Sequence, residues 1–256
     1  MDKPLILVTN DDGIDAPGLR FLINLIKGYG DVVVVASEKT NSGMSHAITI
    51  ETPLRITNIS KGDNYTEYSC NGSPVDCVKL AEHALLPRKP DLLVSGINHG
   101  SNASVNIIYS GTMAAVLEGA MIGIPSVGFS LLDYSKDADF SATKEYVKVI
   151  VEKVLKNSLP SGVCLNVNFP IAPKSELKGI KVCRQAKGIW NEEFVKKTDP
   201  RNNDYYWLTG SFDVLENSDD TDLWALKNNY VSVVPVHFDF TSHKSISLIN
   251  NWKLNV

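Results

Sequence analysis

Five apolar runs, each leading into a short polar stretch, constrain this chain more than any other feature: "PLILVTN", "DVVVVAS", "DLLVSG", "IPSVGFS" and "GVCLNVN". A strand with one wet face alternates apolar and polar residues. A run with hardly a polar position is covered on both faces, as parallel strands between helix layers are. Helical segments separate the runs. In "APGLRFLINLIKGYG" the apolar residues Leu19, Leu22, Ile23 and Ile26 fall on one helical face, with Pro17 near the start and Gly28 and Gly30 at the end. The stretches "SPVDCVKLAEHALL", "SGTMAAVLEGAMIG" and "SATKEYVKVIVEKVLKN" read as further helices. This order predicts right-handed β-α-β crossovers, a mostly parallel sheet and helices on both of its faces, the α/β class.

Ligands of such sheets bind beyond the carboxyl ends of the strands. The first run ends there in Asp11 and Asp12, followed by Gly13. Adjacent carboxylates repel each other unless water screens them or a cation sits between them. Hard divalent cations such as Mg²⁺ or Mn²⁺ take carboxylate, hydroxyl and carbonyl oxygens. An Asp-Gly turn is the alternative reading of the same residues. Other short-side-chain loops fall between elements in the same way: "EKTNSGMSHA", "NGSP", and "SGINHGSN" with "YSGT". Ser73, Pro74 and Asp76 have the pattern of a helix cap, with Ser at the cap, Pro next and an acid two further on. Ser110, Gly111 and Thr112 open a helix whose first amides and hydroxyls suit a phosphate. Asn98 offers an oxygen to a metal or an amide to a phosphate. His46 and His99 both lie in these loops, and either could act as a general acid. Asp15 reads as a solvated turn residue.

Several classes of protein are excluded. The chain lacks GxxxxGK[ST], GxGxxG after the first strand, and GxSxG. An aspartyl-phosphate enzyme of the haloacid-dehalogenase type would need Asp-x-Asp where Gly13 stands. A net charge of -4 in 256 residues leaves no basic footprint for a nucleic-acid polymer. No apolar run approaches the roughly 20 residues of a membrane span, and the apolar stretch in "MDKPLILVTNDD" is short for a signal peptide. Cys70, Cys77, Cys164 and Cys183 form neither a CxxC pair nor a zinc pattern, which favours a reducing, cytoplasmic setting.

The last third differs. "HAITIETPLRITNI" and "YTEYSC" earlier in the chain already have extended character, and "IKVCRQAKGIWNEEF" and "DYYWLTGSF" read as strands flanking the turn-rich "KKTDPRNND". A short helix follows the acidic "ENSDDTD", then a strand, "YVSVVPV", and an amphipathic tail helix. Three of the four tryptophans lie between 190 and 224, and exposed aromatic hairpins are common association surfaces.

Taken together, "ILVTNDDGIDAPG", "NSGMSHAITI", "NGSPVDCVKLA", "DLLVSGINHGSN", "SGTMAAVLEGA" and the tail "YVSVVPVHFDFTSH" resemble the SurE family, the survival-protein 5′/3′-nucleotidases. The resemblance implies an α/β fold: a Rossmann-like three-layer αβα sandwich with a C-terminal hairpin and tail. Residues 1–180 would form the catalytic core. Residues 181–256 would supply the hairpin, a returning strand and a tail used in oligomerisation, all within one structural domain. It further implies a metal-dependent phosphatase for nucleoside 5′- and 3′-monophosphates, with short-chain polyphosphate as a further substrate; a phosphatase for polyphosphate or sugar phosphates, and a non-catalytic nucleotide- or phosphate-binding module, are the alternative readings of the same loops. One Mg²⁺ or Mn²⁺ per subunit would sit on Asp11, Asp12, Ser42 and Asn98. On the residues themselves, one of the two aspartates, Asp12 by preference, is expected to act as base toward the attacking water. Phosphate would sit on Asn71, Ser110, Gly111 and Thr112, and subunits would form a homodimer or homotetramer. The family pattern has Gly where this chain has Ser45, which narrows the backbone options of the loop carrying Ser42.

Overall fold

The computed structural model describes residues 3–254. The first apolar run is strand β1 (Leu5–Thr9), buried throughout. Its alternate residues serve two cores: Ile6 and Val8 pack into one cluster, Leu7 into another. Helix α1 (Pro17–Ile26) starts on its proline and buries Leu19, Leu22, Ile23 and Ile26. Strand β2 (Asp31–Ser37) lies parallel to β1. Strand β3 (Ile56–Gly62) pairs antiparallel with β4 (Tyr65–Cys70), which runs parallel to β2.

The predicted extended stretch from His46 is shorter than its sequence suggests. Residues 46–55 form no strand. Thr49 donates its amide to Asp76 Oδ1 at 3.0 Å and its hydroxyl to Asp76 Oδ2 at 2.6 Å, while the Ala47 carbonyl accepts from Ser73 Oγ at 2.7 Å. The segment meets its hydrogen-bonding needs on a helix cap rather than on a neighbouring strand. That cap opens α2 (Pro74–Leu80) with Ser73 and Asp76 reciprocally bonded, as their spacing predicts.

Strands β5 (Leu92–His99), β6 (Ser126–Leu131) and β7 (Val163–Phe169) continue the parallel sheet on the other side of β1. Helix α3 (Gly111–Met121) connects β5 to β6, and α4 (Lys144–Asn157) connects β6 to β7. Helices α1 and α4 contact each other, as α2 and α3 do, and the two pairs pack into separate apolar clusters. The three layers follow.

The C-terminal third returns to the same sheet. Strand β8 (Ile180–Val182) runs parallel to β11 (Val231–His237), and β11 lies antiparallel to β7. The sheet is nine-stranded, in the order β3-β4-β2-β1-β5-β6-β7-β11-β8. Strands β9 (Gly188–Thr198) and β10 (Asp204–Val214) form a separate antiparallel hairpin, so "IKV" and "GIWNEEF" belong to different sheets. "KKT" lies within β9, leaving a turn in which Asp199 Oδ1 accepts the amides of Arg201 and Asn203. Helix α5 (Asp222–Lys227) precedes β11, and α6 (His243–Asn250) forms the tail.

Candidate active site

The chain leaves β1 toward β2 and β4 on one side of the sheet and later re-enters on the other side at β5. Connections that depart in opposite directions leave a crevice at the carboxyl ends of β1 and β5, the topological switch point. Asp11 and Asp12 follow β1 there. Asn98 and His99 end β5, so Asn98 sits on a strand rather than in the loop its glycine neighbours suggest.

Backbone contacts fix the first two loops against each other. Asn10 Nδ2 donates to the Gly13 carbonyl at 2.8 Å, closing a turn that Gly13 enters at a φ of 104°. The Asn41 amide donates to the Asp11 carbonyl at 2.7 Å, and Thr40 Oγ1 to the Asp12 carbonyl at 3.2 Å. The far end of the Ser42 loop is anchored by Ser45. Its φ is 56°, a left-handed conformation that explains the glycine of the family pattern. Its hydroxyl donates to the Ile108 carbonyl at 2.6 Å, and its amide to the Tyr109 carbonyl at 3.2 Å. The serine therefore holds the loop instead of displacing it.

Helix α3 completes the crevice. Ser110 caps it, accepting the Met113 amide at 3.0 Å. A Cβ added to Gly111 would lie 2.8 Å from Asp11 Cβ, so only glycine lets the helix start this close to the carboxylate. Thr112 is fully buried and donates its hydroxyl to Asp11 Oδ1.

Asp11, Ser42, Asn98 and Ser110 line one cavity of about 550 Å³, within the usual range for ligand pockets. Asp12 is bound to its rim, its Oδ2 accepting the His99 amide at 3.1 Å. Gly111 and Thr112 stand behind Asp11. Asn71 is occupied elsewhere: it accepts the Arg55 amide at 2.7 Å and donates to the Pro53 carbonyl at 3.3 Å. The two loop histidines separate. His99 lines this cavity, and its Nδ1 lies 3.1 Å from the Ser135 carbonyl, which only accepts, so Nδ1 carries a proton; Nε2 is buried without a hydrogen-bond partner among the described residues. His46 lines a different cavity and pairs through Nε2 with Glu118, which also holds Lys79.

The electrostatics of the carboxylates test the donor set. Asp11 is 3% exposed. Burial first, then the charge of Asp12, push its pKa up to about 6. Burial also raises Asp12, against the amide and the ring charge of His99, which both lower it. Neither carboxylate has a basic partner among the described ion pairs. Asn98 donates Nδ2 to the Gly100 carbonyl at 2.9 Å, which fixes Oδ1 as its remaining, accepting atom. Two carboxylates, a hydroxyl and an amide oxygen, with no Lys or Arg paired to them among the described residues, fit a hard divalent cation.

Other lining residues carry no motif: Tyr134, Trp190 and Glu192. Loop 100–104, which helps wall the cavity, rests on a buried asparagine network. Asn168 Oδ1 accepts the Asn102 amide at 2.9 Å, and Asn166 Nδ2 donates to the Asn102 carbonyl at 2.8 Å. The signal was present in "LNVN", where asparagines alternate on a strand otherwise fit for burial.

The family model for survival protein SurE matches residues 6–192. The chain belongs to the SurE family. Among SurE relatives, the 5′-nucleotidase SurE of Flavobacterium johnsoniae is 59% identical over 99% of this chain and 98% of the relative. The 5′-nucleotidase SurE of Flavobacterium psychrophilum is 57% identical over the full length of both. The crystal structure of the SurE protein from Aquifex aeolicus superposes with a TM-score of 0.84 at 38% identity, covering 98% of this chain and all of that one. The SurE fold is thus shared from the first strand through the hairpin and tail.

Proposed function

We propose that this chain is a metal-dependent phosphatase that hydrolyses nucleoside 5′- and 3′-monophosphates to nucleoside and phosphate. One observation carries the reading: a buried carboxylate, Asp11, beside a second, Asp12, with no Lys or Arg paired to either among the described residues, at the wall of a nucleotide-sized cavity. The relatives' shared designation as 5′-nucleotidases supports the substrate class.

Asp11, Asp12, Ser42 and Asn98 would hold one Mg²⁺ or Mn²⁺, which when bound acidifies water and offsets charge on the phosphoryl group. Asp12, half-buried and oriented by the His99 amide, takes the proton of the attacking water. The Ser110 hydroxyl accepts from Met113, leaving its proton to donate to a phosphate oxygen, and the first amides of α3 face the same anion. Thr112 positions Asp11. Asn71, engaged with the 53–55 segment, contributes by bracing the loop before α2.

Phosphate release from AMP, with Mn²⁺ or Mg²⁺ and with EDTA, tests the reading. The expected result is release that EDTA stops and that Asp11→Asn abolishes. No release from any nucleotide with either ion would leave a nucleotide-binding module.

The same reading makes the protein a cytoplasmic homodimer or homotetramer. Exposed Phe194, Tyr206, Trp207 and Leu208 on the hairpin and Phe240 and Trp252 on the tail support association. The four free cysteines support a reducing compartment. Among the described residues no helix is long and apolar enough to cross a membrane.

A further inference from the structure

The cavity has two chemically different ends. One carries the carboxylates; the other is built from the root of the β9–β10 hairpin and the 134 loop. No Lys or Arg is found among the residues lining it. Trp190 stands on β9 directly across from Phe212, with ring centroids 5.3 Å apart, and donates Nε1 to Asn106 Oδ1 at 2.8 Å. It is 38% exposed, so a ring held on two sides keeps open surface. Tyr134 is held as well: its hydroxyl accepts the Ser101 amide at 3.2 Å, and its ring lies where a Cβ on Gly100 would be, 2.2 Å from Cε1. It is 70% exposed. Two residues beyond Trp190, on the same face of β9, is Glu192. Its cross-strand partner is Gly210, which puts no side chain over it.

These features select a ligand. Pre-ordered aromatic surface stacks on a nucleobase at little entropic cost. A chain of phosphates reaching from the carboxylate end would instead bring its second and third negative charges toward Glu192, with no lining Lys or Arg to offset them. We propose that Trp190 and Tyr134 form the nucleobase end of the site and that Glu192 repels additional phosphates, so that this chain prefers a nucleoside monophosphate to short-chain polyphosphate. This rests on the phosphatase reading above.

The test compares kcat/KM for AMP, ribose 5-phosphate and tripolyphosphate in the same metal-loaded protein. Trp190→Ala should lower the AMP to ribose 5-phosphate ratio about tenfold, chiefly through KM, whereas Trp190→Phe should keep most of it. Glu192→Lys should raise the tripolyphosphate to AMP ratio about tenfold. A wild-type ratio in Trp190→Ala overturns the aromatic subsite, and an unmoved ratio in Glu192→Lys overturns the charge filter; both leave phosphatase activity standing. Absence of release from all three substrates by the wild-type protein overturns the phosphatase reading, and this inference with it.

Discussion

At the scale of single residues, the site works against the fold that carries it. Asp11 has a pKa raised from 3.8 to about 6, so the folded protein holds that proton more tightly than the unfolded chain does. The stabilising contribution is complete below the unfolded value and is lost as pH rises through about 6. At neutral pH the ionised carboxylate costs about 3 kcal/mol. Asp11→Asn should therefore raise the melting temperature of the EDTA-treated protein at pH 7.5, with the gain shrinking toward pH 4. Unchanged melting across that range would mean that the carboxylate is not desolvated. Asp76 has the opposite sign: although burial alone would raise its pKa, its bonds to Thr49 and Ser73 lower it overall, so its contribution is present near neutrality and fades in acid. Ser45 shows two opposed effects at one position. Ser45→Ala keeps the left-handed strain and loses the bond to Ile108, at about 1 kcal/mol in urea unfolding. Ser45→Gly loses the bond but relieves the strain, and should come out near zero.

Among elements, the root of the hairpin is tied to the site through one buried side chain, Asp222. Asp222 is fully buried at the start of α5. Its Oδ2 accepts the Ser104 amide at 2.8 Å, and its Oδ1 accepts the Ala186 amide at 2.9 Å and the Leu223 amide at 2.8 Å. One carboxylate thus joins the loop before Ser110, the root of β9 and the first turn of α5. Ser104 Oγ reinforces the joint by donating to the Ala186 carbonyl at 2.9 Å. Asp222→Ala leaves buried amides unpaired and should cost about 3 kcal/mol. Amide exchange should rise first at residues 186–190 and 104–110, before the strands β1 and β5. Uniform acceleration through the sheet would instead indicate a global loss with no special role for the joint.

At the scale of the molecule, sheet order rather than any one motif makes the site. Strands β1 and β5 are neighbours although β2, β3 and β4, which separate them in the chain, lie on the other side of β1, and only that adjacency brings Asp11 to Asn98. A cation bound across the two strands should stabilise the whole fold by mass action. At a hundred times its Kd, Mn²⁺ should add about 2.7 kcal/mol to unfolding free energy. Asp11→Asn should remove that increment in a thermal melt.

Sequence alone determined the parts set by local physics. Apolar runs without alternation meant strands buried on both faces, and β1, β2, β5, β6 and β7 are such strands. The Ser73-Pro74-Asp76 spacing meant a cap, because a cap is closed within one turn. The doubled aspartate at a strand end marked the crevice, since a like-charged pair needs an explanation wherever it occurs. What the tertiary structure decided depends on residues distant in the chain. It set Asn98 on a strand, gave Thr112 to Asp11, and separated His99 from His46, which went to Glu118. It also brought Trp190, Glu192 and Tyr134 to a cavity whose motifs lie in the first half of the chain. Those neighbours come from strand order and from a hairpin root pinned by Asp222, and no local pattern encodes which side chain a buried hydroxyl or carboxylate will meet.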